Sequence, residues 1–298
     1  MRSIRTLLSG SIDYAGLFPP AKLEMASAVR NYADYRAGEH AWALGRFVVP
    51  ATRLDVFERA AESLLPAAGS EPWRLTAIGG SNLAGDLAAA LDFNQRHGDG
   101  GAGAAVVDTI EIRADSGEEI ERAMAAIGGR FIPYFEIPIA SDPGHLVAAI
   151  ARAGARAKVR TGGVTPADFP APANLLKFLR LCVGAGVPFK ATAGLHHPLR
   201  ATHPISEEPG CESATMYGFF NVFLTAAFLR AGIPAAEAPR VLEEGELAAF
   251  SFDDDGVTWR GRRLDNATLE DVRRRVALAF GSCSFLGPIE ELKALALL

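Results

Sequence analysis

Short apolar runs rich in Val, Ile and Phe recur along the chain, each followed by a loop and a stretch of 3.6-residue periodicity. That alternation is expected of a parallel β/α protein. The predicted strands are "SIDYAGLF" (11–18), "RFVVPA" (46–51), "RLTAIGG" (74–80), "VVDTIEI" (106–112), "RFIPYFEI" (130–137), "AKVRT" (157–161), "VPFKATA" (187–193) and "LAAFSF" (247–252). Helical stretches are predicted over 22–36, 54–65, 83–97, 117–127, 144–153, 173–183 and 213–230. Eight strands spaced by about 30 residues predict an α/β fold of the (β/α)8 TIM-barrel type. An open doubly wound sheet is the competing arrangement, and no GxGxxG turn follows the first strand to support it. The last third breaks the rhythm: "FDDDGVTWRGRRL" (252–264) reads as a hairpin and "NATLEDVRRRVALAFG" (266–281) as a capped helix. The expected organisation is therefore one domain over 1–298. Its barrel spans 11–252, with an irregular eighth unit, and the hairpin and C-terminal helices of 253–298 pack on it.

Composition narrows the partners. The 298 residues are 49% hydrophobic and 22% charged, with a net charge of −5. The basic residues are dispersed, which argues against nucleic acid. Cys182, Cys211 and Cys283 are odd in number and lack metal-ligand spacing, fitting a reducing, cytoplasmic setting. The N-terminal "MRSIRTLLSGSIDYAG" has too short an apolar run for a signal segment, and no stretch suggests a membrane span. The most apolar segment, Met216 to Gly232, contains Asn221 and reads as a buried helix closed by Gly232. A small-molecule ligand is the expected partner, with a homo-oligomer left open.

The strands carry polar residues that a packed wall does not need. In a TIM barrel, functional groups come from the C-terminal strand ends and the loops after them. Alternation puts Thr109, Glu111 and Arg113 on one face of their strand, Tyr134 and Glu136 on another, then Lys158 with Arg160, and Lys190 with Thr192. A buried ammonium is costly unless paired or used. Glu111 with Arg113, or Glu136 with Arg160, could form inert ion pairs, but inward charges on four consecutive strands point to a site. Thr161, Gly162 and Gly163 follow the sixth strand and Gly194 the seventh, where bare backbone can approach a ligand. Asp13 ends the first strand. His196 and His197 are adjacent, so a regular strand directs only one of them inward.

The stretch from Lys158 to Gly194, with "KVRTGGVTPADF" and "FKATAGL", resembles the sixth and seventh strands of class I aldolases, in particular the deoxyribose-phosphate aldolase family. The resemblance covers about 40 residues. It implies a Schiff-base lysine at Lys158, a second lysine at Lys190 that lowers its pKa, and a fourth-strand acid at Glu111. Arg160 departs from that family, which has a small hydroxyl residue there, and "LHHP" has no counterpart. The chemistry also stands alone: a lysine is a nucleophile only when neutral, which burial or a neighbouring cation promotes. Glu111 or Glu136 would then move the proton beside the imine.

The leading expectation is a lyase of aldolase type, free of cofactors, acting on a small oxygenated carbonyl compound, with or without a phosphate. Lys158, Lys190, Glu111 and Glu136 would carry the reaction. Asp13, Arg113, Arg160, Thr161, Gly162, Gly163, Thr192, Gly194, His196 and His197 would surround the substrate. The alternative is a metal-dependent isomerase, epimerase or hydrolase holding one divalent ion through Glu111, Glu136, His196 and His197. A barrel that binds a metabolite without turnover is the third.

Overall fold

The alternation of apolar runs and amphipathic stretches folds as eight parallel strands closed into a barrel, in a computed structural model that describes residues 1–98, 103–206 and 210–298. The strands are β1 (Ile12–Tyr14), β2 (Leu44–Pro50), β3 (Trp73–Ile78), β4 (Ala105–Arg113), β5 (Ile132–Glu136), β6 (Arg156–Arg160) and β7 (Phe189–Thr192). A closing strand, Ala277–Ser282, lies between β7 and β1. Each of the first seven overlaps its predicted run. Local signals agree with the helix between β4 and β5, Gly117–Ile127. Ser116 accepts the N–H of Glu119, the Glu119 carboxylate accepts the N–H of Asp115, and Gly128 ends the helix at φ 57°.

The eighth strand differs from the prediction. Residues 247–252 open with a 3-10 turn, Leu247–Ala249, and continue as Phe250–Phe252, paired antiparallel with Gly256–Trp259. Arg262–Asp265 completes this three-stranded sheet outside the barrel. The predicted helix over 266–281 is two elements. Its helix, Asn266–Arg275, is capped by Asp265 and ends on Arg273, Arg274 and Arg275, cations that suit the carbonyl end of a helix. The apolar run after it is the closing strand, which pairs with β7 and β1. Residues 253–298 therefore supply part of the barrel wall, and the barrel does not end at 252.

The predicted helix over 213–230 also splits. Ser213–Met216 pairs with Ala201–Pro204 in a hairpin after β7, and the helix proper is Phe219–Arg230. Gly218 marks the join, because a Cβ there would stand 2.2 Å from the Pro198 carbonyl oxygen. The helix is buried on nearly every face, Phe219 stacks on Phe280 of the closing strand at 5.2 Å, and the chain turns at Gly232 with φ 79°. Among the described residues, no helix is long and apolar enough to cross a membrane.

Asn221 tethers this helix to its surroundings. Its Nδ2 donates to the carbonyls of Val241 and Glu244 at 2.9 and 2.8 Å, and its Oδ1 accepts the N–H of Arg200 at 2.7 Å. Asn221→Leu should cost about 2–3 kcal/mol in urea unfolding, because three backbone groups lose their partner at once. An unchanged midpoint would mean that the tether is dispensable.

Candidate active site

Alternation along four strands brings charged side chains together at the C-terminal end of the barrel. Lys158 pairs in register with Lys190 across β6 and β7, and Glu136 with Lys158 across β5 and β6. The result is an alternating chain of acids and bases. Asp13 Oδ2 meets Lys190 Nζ at 2.5 Å, and that nitrogen donates to Glu111 Oε1 at 2.5 Å. Lys158 Nζ contacts the other oxygen of Glu111 at 2.6 Å and Glu136 Oε2 at 2.8 Å. Glu111 thus bridges the two lysines.

The backbone fixes the Asp13 end of this chain. Asp13 Oδ1 accepts the Arg46 N–H at 2.8 Å, and Gly45 leaves room for it, since a Cβ would lie 2.4 Å from that oxygen. On β4 the register with β3 shifts between Val107 and Thr109, leaving Asp108 as an extra residue. Asp108 takes the Arg46 guanidinium in a bidentate pair at 2.6 and 2.8 Å, below the level of Glu111. The Tyr134 ring lies 5.5 Å from Lys190 Nζ, adding a cation–π contact.

Above the network opens a cavity of about 520 Å³. Glu111, Glu136, Lys158 and Lys190 line it together with an apolar wall that includes Phe18, Val48, Ile78, Phe169, Ile205 and Met216. Arg160, Gly163, Thr192, Gly194 and His196 also line it. The β7 loop leaves its strand through two left-handed residues, Ala193 at φ 62° and Gly194 at φ 74°. The first is a conformation that non-glycine residues seldom adopt. Thr161 holds this turn, its hydroxyl donating to the Ala193 carbonyl at 2.6 Å.

Burial and charge oppose each other here. Burial pushes the Glu111 carboxyl up, but Lys158 and Lys190 outweigh it and lower its pKa to about 2. Burial pushes the Lys190 ammonium down, yet Asp13 and Glu111 hold it above the ordinary lysine range. A carboxylate lowered in this way stabilises the fold above its unfolded pKa, and that stability is lost as pH falls toward 2. Glu111 should therefore account for a loss on the order of 3 kcal/mol as pH drops from 5 to 2. Urea midpoints measured across that range should fall less steeply for Glu111→Gln than for wild type, and parallel slopes would count against the pairing.

His196 has a defined tautomer. The Ser282 hydroxyl donates to the Ser284 carbonyl at 2.6 Å, so His196 Nδ1, 3.1 Å from the same oxygen, must donate to it. That leaves the Nε2 lone pair as an acceptor, without a protein partner among the described residues and not sealed from the cavity. Burial, with His197 adding to it, lowers the His196 pKa to about 4, so the ring is neutral near pH 7.

Several expected site residues lie elsewhere. Neither Glu111–Arg113 nor Glu136–Arg160 forms, because both acids meet lysines. Arg113 leans over the rim toward Asp115 at 3.4 Å. Thr161 is buried and spends its hydroxyl on the loop, and Gly162 lies under the Phe169 ring, which a Cβ would meet at 2.5 Å. His197 turns to Glu291 at 2.5 Å and stacks on His203. Asp13 is buried and acts through Lys190. The proposed metal ligands Glu111, Glu136, His196 and His197 do not form a metal-holding group, and among the described residues no three His, Cys, Asp or Glu are arranged to hold a metal ion. The expected pair of bare, mutually repelling ammonium groups is replaced by one in which a carboxylate separates the two.

Phe18 after β1, Phe169 in the β6 loop, Ile205 and Met216 of the hairpin, and Ser282 of the closing strand join the site without being singled out by the sequence pattern. Ser282 could have been found from the three arginines that end the preceding helix, since the apolar run after them had to be a new element. Neither a protein-family model nor a curated protein matches this chain.

Proposed function

We propose that this barrel is a Schiff-base lyase of aldolase type, acting through Lys158 on a small oxygenated carbonyl compound. The observation that carries this reading is the asymmetry of the two lysines. Lys190 is 2% exposed and bound by Asp13 and Glu111, each also 2% exposed, and these two carboxylates hold its proton. Lys158 faces the cavity beside Glu136, whose side chain is 19% exposed. Of the two carboxylates on Lys158, Glu136 is the more exposed and is not shared with Lys190, so it is the one placed to take the Lys158 proton. Lys190 thus remains a cation, and Lys158 is the amine that can become neutral. The likeness of "KVRTGG" and "FKATAGL" to deoxyribose-phosphate aldolases assigns the same two roles.

In this reading, Lys158 passes its proton to Glu136 and attacks the substrate carbonyl carbon, and loss of water leaves an iminium ion. The bond between the next two carbons breaks as its electron pair moves toward the iminium nitrogen, giving an enamine. The proton of the hydroxyl on the departing carbon leaves as the aldehyde forms, and His196 Nε2 is an acceptor available for it. Protonation of the enamine carbon and addition of water return the amine and release the second product.

The test is intact-mass spectrometry after incubation with aldehydes, ketones and 2-oxo acids in the presence of cyanoborohydride. One reduced adduct per chain is expected with at least one class. No mass increase across the panel would remove the Schiff-base reading.

A further inference from the structure

From the surroundings of Arg160 we infer that the substrate is a 2-oxo acid, its carboxylate held by this arginine next to the imine formed on Lys158. The inference rests on the Schiff-base reading for the imine, and on independent observations for the carboxylate. Arg160 is exposed at the end of β6, where the main cavity adjoins a second one of about 380 Å³. Among the described residues it makes no ion pair or hydrogen bond. The two acids nearby are engaged: Glu136 binds Lys158, and Asp168 Oδ2 accepts the N–H groups of Val164 and Thr165 at 2.9 and 2.8 Å. Gly163, also on the cavity wall, has an N–H with no acceptor among the described residues. A guanidinium and a bare N–H are donors in search of an oxyanion.

Charge and spacing select the anion. The floor carries three carboxylates, Asp13, Glu111 and Glu136, against two lysines, so it has an excess negative charge. Arg160 cancels that excess, so a bound monoanion adds one net negative charge to the site and a phosphate dianion adds two, against a floor already rich in carboxylates. Lys158 and Arg160 share a face of one strand, with roots roughly 6.6 Å apart. A carboxylate bonded directly to the imine carbon fits between two side chains rooted so close together. A phosphate several carbons away would not stay beside Arg160, and the wall across the barrel from β6, with Phe18, Val48 and Ile78, is apolar. That wall suits an uncharged remainder of the substrate.

The test compares 2-oxobutanoate with its uncharged amide and with glyceraldehyde 3-phosphate, by calorimetric binding and by cyanoborohydride trapping, in wild type and Arg160→Met. Wild type should bind and trap the acid at concentrations at least about tenfold lower than the amide. Arg160→Met should erase that preference. Equal binding of acid and amide, or tighter binding of the phosphate ester, would overturn the carboxylate assignment even if trapping succeeds. A binding preference for the acid that depends on Arg160, with no trapping of any compound, would keep Arg160 as the carboxylate site and instead remove the role of Lys158.

Discussion

Replacing Lys158 by alanine should abolish reductive trapping and lower turnover by about 10⁴-fold or more, because the bond to the substrate cannot form without the amine. The fold should survive with a moderate loss of stability. Lys158 is 5% exposed, and its removal leaves Glu136 open to the cavity and Glu111 still paired with Lys190. Near-normal turnover in a folded Lys158→Ala protein would exclude covalent catalysis by this residue. Lys158→Arg should be equally inactive, since a guanidinium keeps its charge at any working pH.

Lys190→Met should act on stability as much as on rate. It leaves Asp13 and Glu111 buried around an apolar chain, and breaking a buried pair in this way costs about 3–5 kcal/mol near neutral pH. The sign of the pH dependence follows from which charges remain. Asp13 loses its lysine and Glu111 keeps only Lys158, so buried carboxylate charge is left under-compensated and resists ionisation, and the deficit should shrink as pH falls and protons are taken up. Trapping by the variant should be slower, and its rising limb should move to higher pH, because Lys158 loses the cation that favours its neutral form. Urea midpoints at pH 5 and 7, with trapping rates across pH, measure both effects. A deficit independent of pH, with an unmoved rate profile, would mean that Lys190 only fills space.

Strand alternation was enough to bring Glu111, Glu136, Lys158, Arg160 and Lys190 to one end of a barrel. A period of two along adjacent parallel strands fixes which side chains share the lumen. His196 and His197 turn to different partners, Ser282 and Glu291, but they lie in the loop beyond β7, where alternation does not apply. Alternation could not say who pairs with whom. Glu111 and Arg113 are near in sequence and share a strand face, but Arg113 lies beyond the rim while Glu111 meets two lysines from other strands. Asp13 reaches Lys190 across 177 positions, a contact made only when the barrel closes. The closing strand is masked because no Gly or Pro separates "VALAFG" from the helix before it, leaving the three arginines as the one boundary signal. A strand covered on both faces shows no alternation to distinguish it from a helical apolar run. The hairpin Ala201–Pro204/Ser213–Met216 was lost in the same way, its second strand merging with the apolar helix that follows.

The most direct test of the central claim is to identify which lysine carries the reduced adduct in the wild-type protein, by tryptic digestion and mass spectrometry after trapping with 2-oxobutanoate and cyanoborohydride. The adduct is expected on Lys158, seen as a fragment over residues 157–160 in which cleavage after that lysine is blocked. An adduct on Lys190 would contradict it, since the buried lysine held by two carboxylates would then be the nucleophile.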